Sequence, residues 1–263
     1  MQSDRADLER IAAFVRWSED STSARATPSR FGTARYHDEF SDRWDSNFLR
    51  LERRLEGVAA AEIAAEADEL FRAFDHRKVV APEGTAGDGL AIGFGELGWS
   101  IDRLIYMSLR RSPDRTPDVS TVSEVTVNDV RAVQLETNRA DGSMTEPVGA
   151  MLVDFRRVLA DRLGARFFLA HVNGEPAAYC ELYRDETGVA QIEDVNTLER
   201  FRGRGLARAV VWQAAQQARA SGDDLVFLMA DDHDWPKEMY AKLGFDPIGH
   251  FWQYTRRPRE ASA

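Results

Sequence analysis

The spacing of apolar positions in the second half of the chain predicts alternating strands and helices. Apolar residues recur at every second position in some segments, as in a strand with one buried face, and every three to four positions in others, as in an amphipathic helix. The predicted strands are residues 123–127, 166–172, 176–183, 190–197, 225–230 and 247–254, and the predicted helices are residues 129–138, 149–163, 206–220 and 235–243. This order favours a mixed sheet flanked by helices.

The first half carries the same kind of pattern in a less regular form. We predict helices at residues 7–17, 59–74 and 89–97, strands at 44–51, 78–81 and 101–109, and a loop over the polar stretch 18–30. Ser112-Pro-Asp-Arg-Thr-Pro-Asp118 then interrupts the pattern without any apolar period. The chain is therefore predicted to contain two α/β domains with mixed sheets, residues 1–111 and 122–263, joined by a linker at 112–121.

The two halves also align with each other at a single offset of 146 residues. At this offset Phe94-Gly-Glu-Leu-Gly-Trp99 lies on Tyr240-Ala-Lys-Leu-Gly-Phe245, and Lys78-Val-Val80 lies on Asp224-Leu-Val226. Short apolar runs can resemble one another by chance, but a shared register without a gap favours a diverged duplication.

Composition limits the classes of function. The formal net charge is −10, which opposes binding to nucleic acid and favours a cationic substrate. No segment approaches the roughly 18 apolar residues of a membrane span, and the first residues lack the pattern of a secretory signal, so a cytoplasmic protein without membrane contact is expected. The histidines are scattered and Cys180 is the single cysteine, so no metal site is predicted.

The strongest chemical signal is Arg200-Phe-Arg-Gly-Arg-Gly-Leu-Ala207, between a predicted strand and a predicted helix. Glycines at 203 and 205 let the backbone curl closely around a ligand, and free amides at the helix start attract a pyrophosphate. The spacing lacks the Gly-Lys-Ser/Thr of a nucleoside-triphosphate loop and the third glycine of a dinucleotide loop. A basic surface turn is the alternative interpretation.

This segment resembles the coenzyme A signature of the GNAT (GCN5-related) N-acetyltransferases, Gln/Arg-x-x-Gly-x-Gly/Ala, through Arg200, Gly203 and Gly205. Ile192-Glu-Asp-Val-Asn-Thr197 resembles the family's fourth strand, and Met239-Tyr-Ala-Lys-Leu-Gly-Phe245 resembles its late helix-to-strand motif. The resemblance covers residues 123–257 strongly and the first half only as a worn copy, as in tandem GNAT proteins with one decayed half.

The resemblance implies a transferase that uses acetyl-CoA as co-substrate. The strand with Val195, Asn196 and Thr197 would separate from its neighbour and offer backbone groups to the pantetheine. The pyrophosphate would be held by the backbone amides of Arg202, Gly203, Arg204, Gly205, Leu206 and Ala207. Tyr240 matches the family's usual general acid and would protonate the departing sulfur.

Glu193 is the candidate general base, acting directly or through a water. Because successive side chains of a strand point to opposite faces, Glu193 and Asp194 are predicted to face opposite sides, so that only one meets the acceptor. A solvated carboxylate is the alternative role for Glu193, and aromatic packing is the alternative for Tyr240. Where many relatives have an asparagine, this chain has His233-Asp-Trp-Pro-Lys-Glu-Met239, in which Asp234 is predicted to be a helix N-cap.

These features predict the transfer of an acetyl group to the primary amine of a small, cationic molecule. A protein or peptide amine as acceptor is an alternative with the same motifs, and a chain that kept the loop without the chemistry would be an acyl-CoA sensor. Residues 139–147 are expected to contribute to acceptor choice.

The first half is expected to be catalytically silent and to shape the acceptor cleft of the second. At the offset of 146 residues, Phe94 aligns with Tyr240 and Asn47 aligns with Glu193, so both proton-transferring groups are lost. The loop pattern persists nominally at Arg54, Gly57 and Ala59, but Glu56 replaces Arg202 and would repel a pyrophosphate.

Overall fold

The computed structural model describes residues 2–53, 55–82, 88–142 and 144–257. The helices in these ranges are α1 (Gln2–Thr22), α2 (Ala60–Leu70), α3 (Asp88–Glu96), α4 (Val127–Asp141), α5 (Glu146–Leu163), α6 (Leu206–Ala220) and α7 (Pro236–Lys242). The strands are β1 (Arg25–Pro28), β2 (Gly32–Tyr36), β3 (Phe48–Leu51), β4 (Arg77–Ala81), β5 (Ser100–Leu109), β6 (Val122–Val125), β7 (Arg166–Val172), β8 (Glu175–Arg184), β9 (Val189–Thr197), β10 (Leu225–Asp231) and β11 (Phe245–Arg256). None of these helices is long and apolar enough to cross a membrane.

The chain forms two compact units, and each is discontinuous in sequence. Unit C is drawn from Met1–Val15, Tyr106–Ala230 and Asp234–Ile248, and unit N from Arg16–Ile105, Asp231–His233 and Gly249–Ala263. Residues 112–121 contain neither helix nor strand. The division of the chain at this segment stays a prediction about how two halves arose.

In unit C the strands follow the order β6-β7-β8-β9-β10-β5. Pairing is antiparallel from β6 through β9 and parallel between β9 and β10, so the predicted mixed sheet is confirmed. Cys180 of β8 donates to the Val210 carbonyl of α6, whereas its neighbour Glu181 bonds to Gln134 of α4 and Arg156 of α5. Because alternate strand residues face opposite sides, α6 covers one face and α4 and α5 cover the other.

In unit N the strand order is β1-β2-β3-β4-β11, and the core lies between these strands and helices α2 and α3. Phe94 of α3 is fully buried and stacks on Tyr254 of β11, with ring centroids 4.2 Å apart. Ile63 and Phe71, at the two ends of the apolar stripe of α2, are also fully buried. These large apolar side chains make unit N a packed core in its own right.

Three sequence-based predictions in the first half are wrong. The stretch 18–30 is not a loop, because α1 continues to Thr22 and β1 follows it. All four residues of β1 are exposed, so no apolar alternation marked this strand, which exists through its pairing with β2. The strand predicted at 44–51 starts only at Phe48, and the helix predicted to reach 74 ends at Leu70.

Candidate active site

A β-bulge lies at the centre of the candidate site. The pairing of β8 with β9 runs through Tyr179 opposite Asn196 and then resumes with Glu181 opposite Glu193. Two residues of β9, Asp194 and Val195, therefore stand opposite Cys180 alone. Asp194 has a φ of 49°, in the left-handed region that residues other than glycine rarely adopt.

Strands β9 and β10 separate just before this bulge. Their parallel pairing covers Leu225 opposite Val189 through Leu228 opposite Ile192. In the described chain β9 continues to Thr197 and β10 to Asp231 with no further pair between them. The edge of β9 beyond Ile192, which includes Val195, Asn196 and Thr197, is thus open on the side of β10, as the resemblance implied.

The glycine-rich loop starts α6 with a row of unused amides. Gly203 and Gly205 have φ values of 76° and 77°, and α6 begins directly after them. Within the described chain, the backbone N–H groups from residue 203 to residue 208 have no hydrogen-bond acceptor. The Arg202 N–H donates to the Glu199 carbonyl at 3.1 Å, so this amide, included in the prediction, is already used.

The arginines of the loop point in different directions. Arg200 donates to Glu136 of α4 and to Glu175 of β8, the latter over 3.0 Å from Nε to Oε1, and so ties the loop to its surroundings. Arg202 reaches the Thr197 carbonyl at 3.4 Å and is otherwise exposed, and the Arg204 guanidinium lies over the Phe201 ring. Arg202 and Arg204 are therefore the cations of this loop that stay accessible to an anionic ligand.

Tyr240 lies on α7 and is 7% exposed. Burial, and after it the negative charge of Glu193, raises the pKa of its phenol above the ordinary value. The hydroxyl makes no hydrogen bond to any described residue, whereas the ring packs edge-on against Phe245. Tyr240 therefore stays protonated at neutral pH and holds a proton that no described neighbour accepts.

The prediction that Asp234 is the N-cap of this helix is wrong by one residue. Helix α7 begins at Pro236, and Trp235 occupies the N-cap position without a side-chain capping bond. The Asp234 carboxylate instead accepts a hydrogen bond from the Trp235 N–H at 2.7 Å. Pro236 at the first helical position supplies no N–H, so the cap has one fewer donor to satisfy.

Glu193 is half-buried at the start of the open edge of β9. Burial raises the pKa of its carboxyl to about 7, with further upward contributions from the carboxylates of Asp194 and Glu181. Gln191 donates a hydrogen bond to it and partly opposes this rise. A carboxyl with this pKa exchanges protons readily near neutral pH.

A buried polar cluster, which the sequence analysis missed, lies beside Glu193. Glu181 is fully buried and accepts hydrogen bonds from Arg156 at 2.7 Å, Gln134 at 3.1 Å and the Tyr183 hydroxyl. Asp194 accepts from the same arginine at 2.5 Å and from the same glutamine at 3.3 Å. A glutamate within the apolar run of residues 177–183 was the available signal, because a buried charge needs a partner.

This cluster also corrects the predicted directions of Glu193 and Asp194. Glu193 is the cross-strand partner of Glu181, so the two side chains share a face, and Asp194 shares Arg156 with Glu181. The bulge and the left-handed backbone of Asp194 turn this side chain to the same face as its neighbour. Three carboxyl groups and a single guanidinium therefore converge where β9 leaves β10.

Comparisons with known proteins agree with this geometry. Residues 135–245 match the model of the acetyltransferase (GNAT) family. No curated protein matches the sequence.

Several solved structures share the fold over most of the chain. A functionally unknown conserved protein from Staphylococcus epidermidis is 16% identical with a TM-score of 0.67, covering 90% of this chain and 95% of that one. A GCN5-related N-acetyltransferase from Kribbella flavida is 20% identical with a TM-score of 0.59, covering 98% and 96%. A tandem GNAT protein from the clavulanic acid biosynthesis pathway is 16% identical with a TM-score of 0.55, covering 81% and 76%.

At these identities the solved structures speak for the fold, while the family model matches the segment that holds the bulge, the open edge and the glycine-rich loop. Through this C-terminal segment the chain belongs to the GNAT family of acetyltransferases.

Proposed function

We propose that this GNAT acetyltransferase moves an acetyl group from acetyl-CoA to the primary amine of a small, cationic molecule by direct transfer. Glu193 acts as the base and Tyr240 as the acid. The observation that carries the proposal is the open edge of β9, which has a carboxyl of pKa about 7 at its start and a protonated phenol nearby.

The residues of this region fit a coenzyme A derivative. A Cβ placed on Gly203 or Gly205 would meet no atom within 4 Å, so the loop leaves open space in front of its free amides. The Thr197 hydroxyl, on the open edge, is buried and has no partner among the described residues, as expected for a group that a ligand satisfies. The amides from residue 203 to residue 208 would hold the pyrophosphate, and β9 would hold the pantetheine.

When bound, acetyl-CoA supplies the thioester carbonyl that the amine attacks. Glu193 takes the proton from the ammonium form of the acceptor, because near pH 7 about half of this carboxyl is ionised and its affinity for a proton is close to the ambient demand. Tyr240 gives its proton to the sulfur as the carbon–sulfur bond breaks. Each group is then in the opposite protonation state, and exchange with water restores both.

The local charge favours a cationic acceptor. Glu181, Asp194 and Glu193 converge on one cation, Arg156, so the group is negative whenever these carboxyl groups are ionised. A positively charged amine is attracted to such a site at short range, where solvent screens poorly. Polyamines, amino sugars and amino-acid-like amines share this chemistry.

An amine panel assayed with acetyl-CoA for thiol release tests the proposal. We expect turnover with at least one small diamine or amino sugar, and loss of that turnover in Gly205→Glu, whose side chain would bring bulk and negative charge against the phosphates. Turnover with peptide amines alone would replace the acceptor class. Tight acetyl-CoA binding without transfer to any amine would indicate a sensor and overturn the proposal.

A further inference from the structure

Arg156, on α5, is the central residue of the buried cluster, and the proposed chemistry gives it no part. Its Nε donates to Glu181 of β8 and its Nη2 to Asp194 of β9, so one guanidinium binds both strands. Its Nη1 also donates to the Leu152 carbonyl at 3.1 Å within α5. The side chain is 15% exposed, and all three bonds fix its orientation on the helix.

The two carboxylates that Arg156 binds lie on either side of the bulge. Beyond Glu181 and Glu193 the two strands lose their simple one-to-one pairing, and Asp194 is the residue in the left-handed conformation. A residue with a Cβ keeps this backbone conformation only where its surroundings hold it. The bond from Asp194 to a guanidinium that is anchored on both α5 and β8 supplies such a hold.

We propose that Arg156 is a positioning residue of the acyl-transfer site, because its grip on Glu181 and Asp194 keeps β9 on the bulged path along which it leaves β10. The path of β9 sets both the location of Glu193 and the open edge from residue 195 to residue 197. This inference rests on the proposed function, since it assigns the edge to the pantetheine and Glu193 to proton transfer.

A purely structural role would have a different signature. Buried ion pairs can often be replaced without loss of a unique fold, so burial of the cluster alone does not tie it to the site. A structural role would lower the melting temperature of a variant and leave the coenzyme affinity of its folded molecules unchanged. A positioning role changes the affinity and the local backbone protection of β9.

The test uses Arg156→Lys and Arg156→Met in the full chain, with Arg157→Lys and Arg157→Met as matched controls. Arg157 is the exposed neighbour on the same helix. Lysine keeps the charge but cannot bind two carboxylates with one planar fork, and methionine removes the charge. The readouts are amide hydrogen exchange at residues 193–197 and the dissociation constant of acetyl-CoA from calorimetry, neither of which needs a known acceptor.

We expect exchange at residues 193–197 to become about tenfold faster or more in both Arg156 variants, with no change in β6 and β7. The acetyl-CoA dissociation constant should rise about tenfold in Arg156→Lys and further in Arg156→Met, with both Arg157 variants unchanged. Once an acceptor is known, kcat should fall about 10- to 100-fold, because misplacing a reacting group by about 1 Å has an effect of that size.

A second pair of variants keeps the test decisive if the Arg156 variants do not fold. Asp194→Asn retains an acceptor for Arg156 and a residue type that tolerates the left-handed region, whereas Asp194→Ala retains neither. We expect coenzyme affinity near the wild-type value in the first and about tenfold weaker in the second.

Wild-type exchange at residues 193–197 in folded Arg156→Lys would overturn the inference. So would faster exchange with unchanged acetyl-CoA affinity, because Arg156 would then hold a bulge that the coenzyme does not use. Failure of the proposed function has a different appearance, namely wild-type protein that binds acetyl-CoA normally and acetylates no amine.

Discussion

The two helix-start loops that align at the 146-residue offset contrast in what occupies their free amides. Gly203, before α6, and Gly57, before α2, share nearly the same left-handed φ, 76° and 74°. Before α6 six successive amides have no acceptor in the described chain. Before α2 the Glu62 carboxylate accepts the Ala59 N–H at 3.3 Å and pairs with Arg30.

The Ala59 amide, together with Arg30, holds the pKa of Glu62 below its usual value. The negative charge that a phosphate would bring to this helix start is therefore supplied by the protein itself. The comparison suggests how a phosphate loop can become silent without losing its backbone shape: a side chain of the first helical turn takes the place of the ligand. Arg54, the counterpart of Arg200 in the nominal pattern, lies outside the described residues.

The counterparts of the proposed acid and base have also become structural. Phe94, which aligns with Tyr240, belongs to the core of unit N and stacks on Tyr254. Asn47, which aligns with Glu193, is fully buried, donates to the carbonyls of Phe40 and Arg43 at 2.9 Å and accepts from the His37 N–H at 2.8 Å. We infer that unit N contributes no catalytic group.

The largest expected difference between the two halves is in proton donation. Tyr240→Phe should lower kcat by about 10²- to 10⁴-fold, because it removes one proton donor and keeps the ring. Its acetyl-CoA affinity should stay close to that of wild type in calorimetry. The matched variant Phe94→Tyr buries a hydroxyl in unit N and is expected to lower the melting temperature while kcat of the folded protein is unchanged. Full turnover of Tyr240→Phe across pH would assign the acid to another group.

A second contrast tests the loops themselves. Gly203→Glu and Gly57→Glu place the same side chain at the same left-handed backbone, so the strain is matched and the difference reports the ligand. We expect more than about tenfold weaker acetyl-CoA binding in Gly203→Glu and unchanged binding, at one site per chain, in Gly57→Glu. Two sites per chain in wild-type titrations, or loss of binding in Gly57→Glu, would show that the loop before α2 is not silent.

The pH dependence sharpens the role of Glu193. A base must be ionised, so kcat/KM should fall as the pH drops below the Glu193 pKa of about 7. Glu193→Gln should lower kcat/KM at pH 8 by about tenfold and remove this acidic limb. Glu186→Gln, at an exposed position near the end of β8, serves as the control and should keep the wild-type profile. An acidic limb that persists in Glu193→Gln would exclude Glu193 as its source.

The smallest expected effect concerns the self-occupied helix start of α2. The folded-state pKa of Glu62 is lowered, so its contribution to stability is present above the unfolded value near 4.5 and is lost as the pH falls through the lower folded value. Glu62→Gln should therefore be slightly less stable than wild type in urea at pH 7 and equally stable at pH 3. It should not create a second coenzyme site. Equal stability at both pH values would mean that the carboxylate contributes nothing to this helix.

The contrast between the halves also marks what sequence could predict. The bounds of helix 206–220 were predicted to the residue, because an apolar period starts directly after Gly205, and the site loop was found through its glycines. The exposed hairpin strand β1 has no apolar pattern and could not be found this way. Periodicity within one strand assumes regular alternation, so it misplaced Asp194, whose direction depends on a two-against-one pairing with β8. The partners of Arg156 lie on two other elements, and only tertiary structure brings them together.

The route of the chain through β11 has a consequence for synthesis on the ribosome. In unit N, Ala81 at the end of β4 pairs with Trp252, and Arg77 at its start pairs with Arg256. These partners leave the exit tunnel only after almost all the rest of the chain has been made. Until then one edge of β4 lacks its strand, and an unpaired edge of this kind is prone to pairing with other chains. Nascent chains stalled before residue 250 should accordingly depend on chaperones more than chains stalled beyond residue 257.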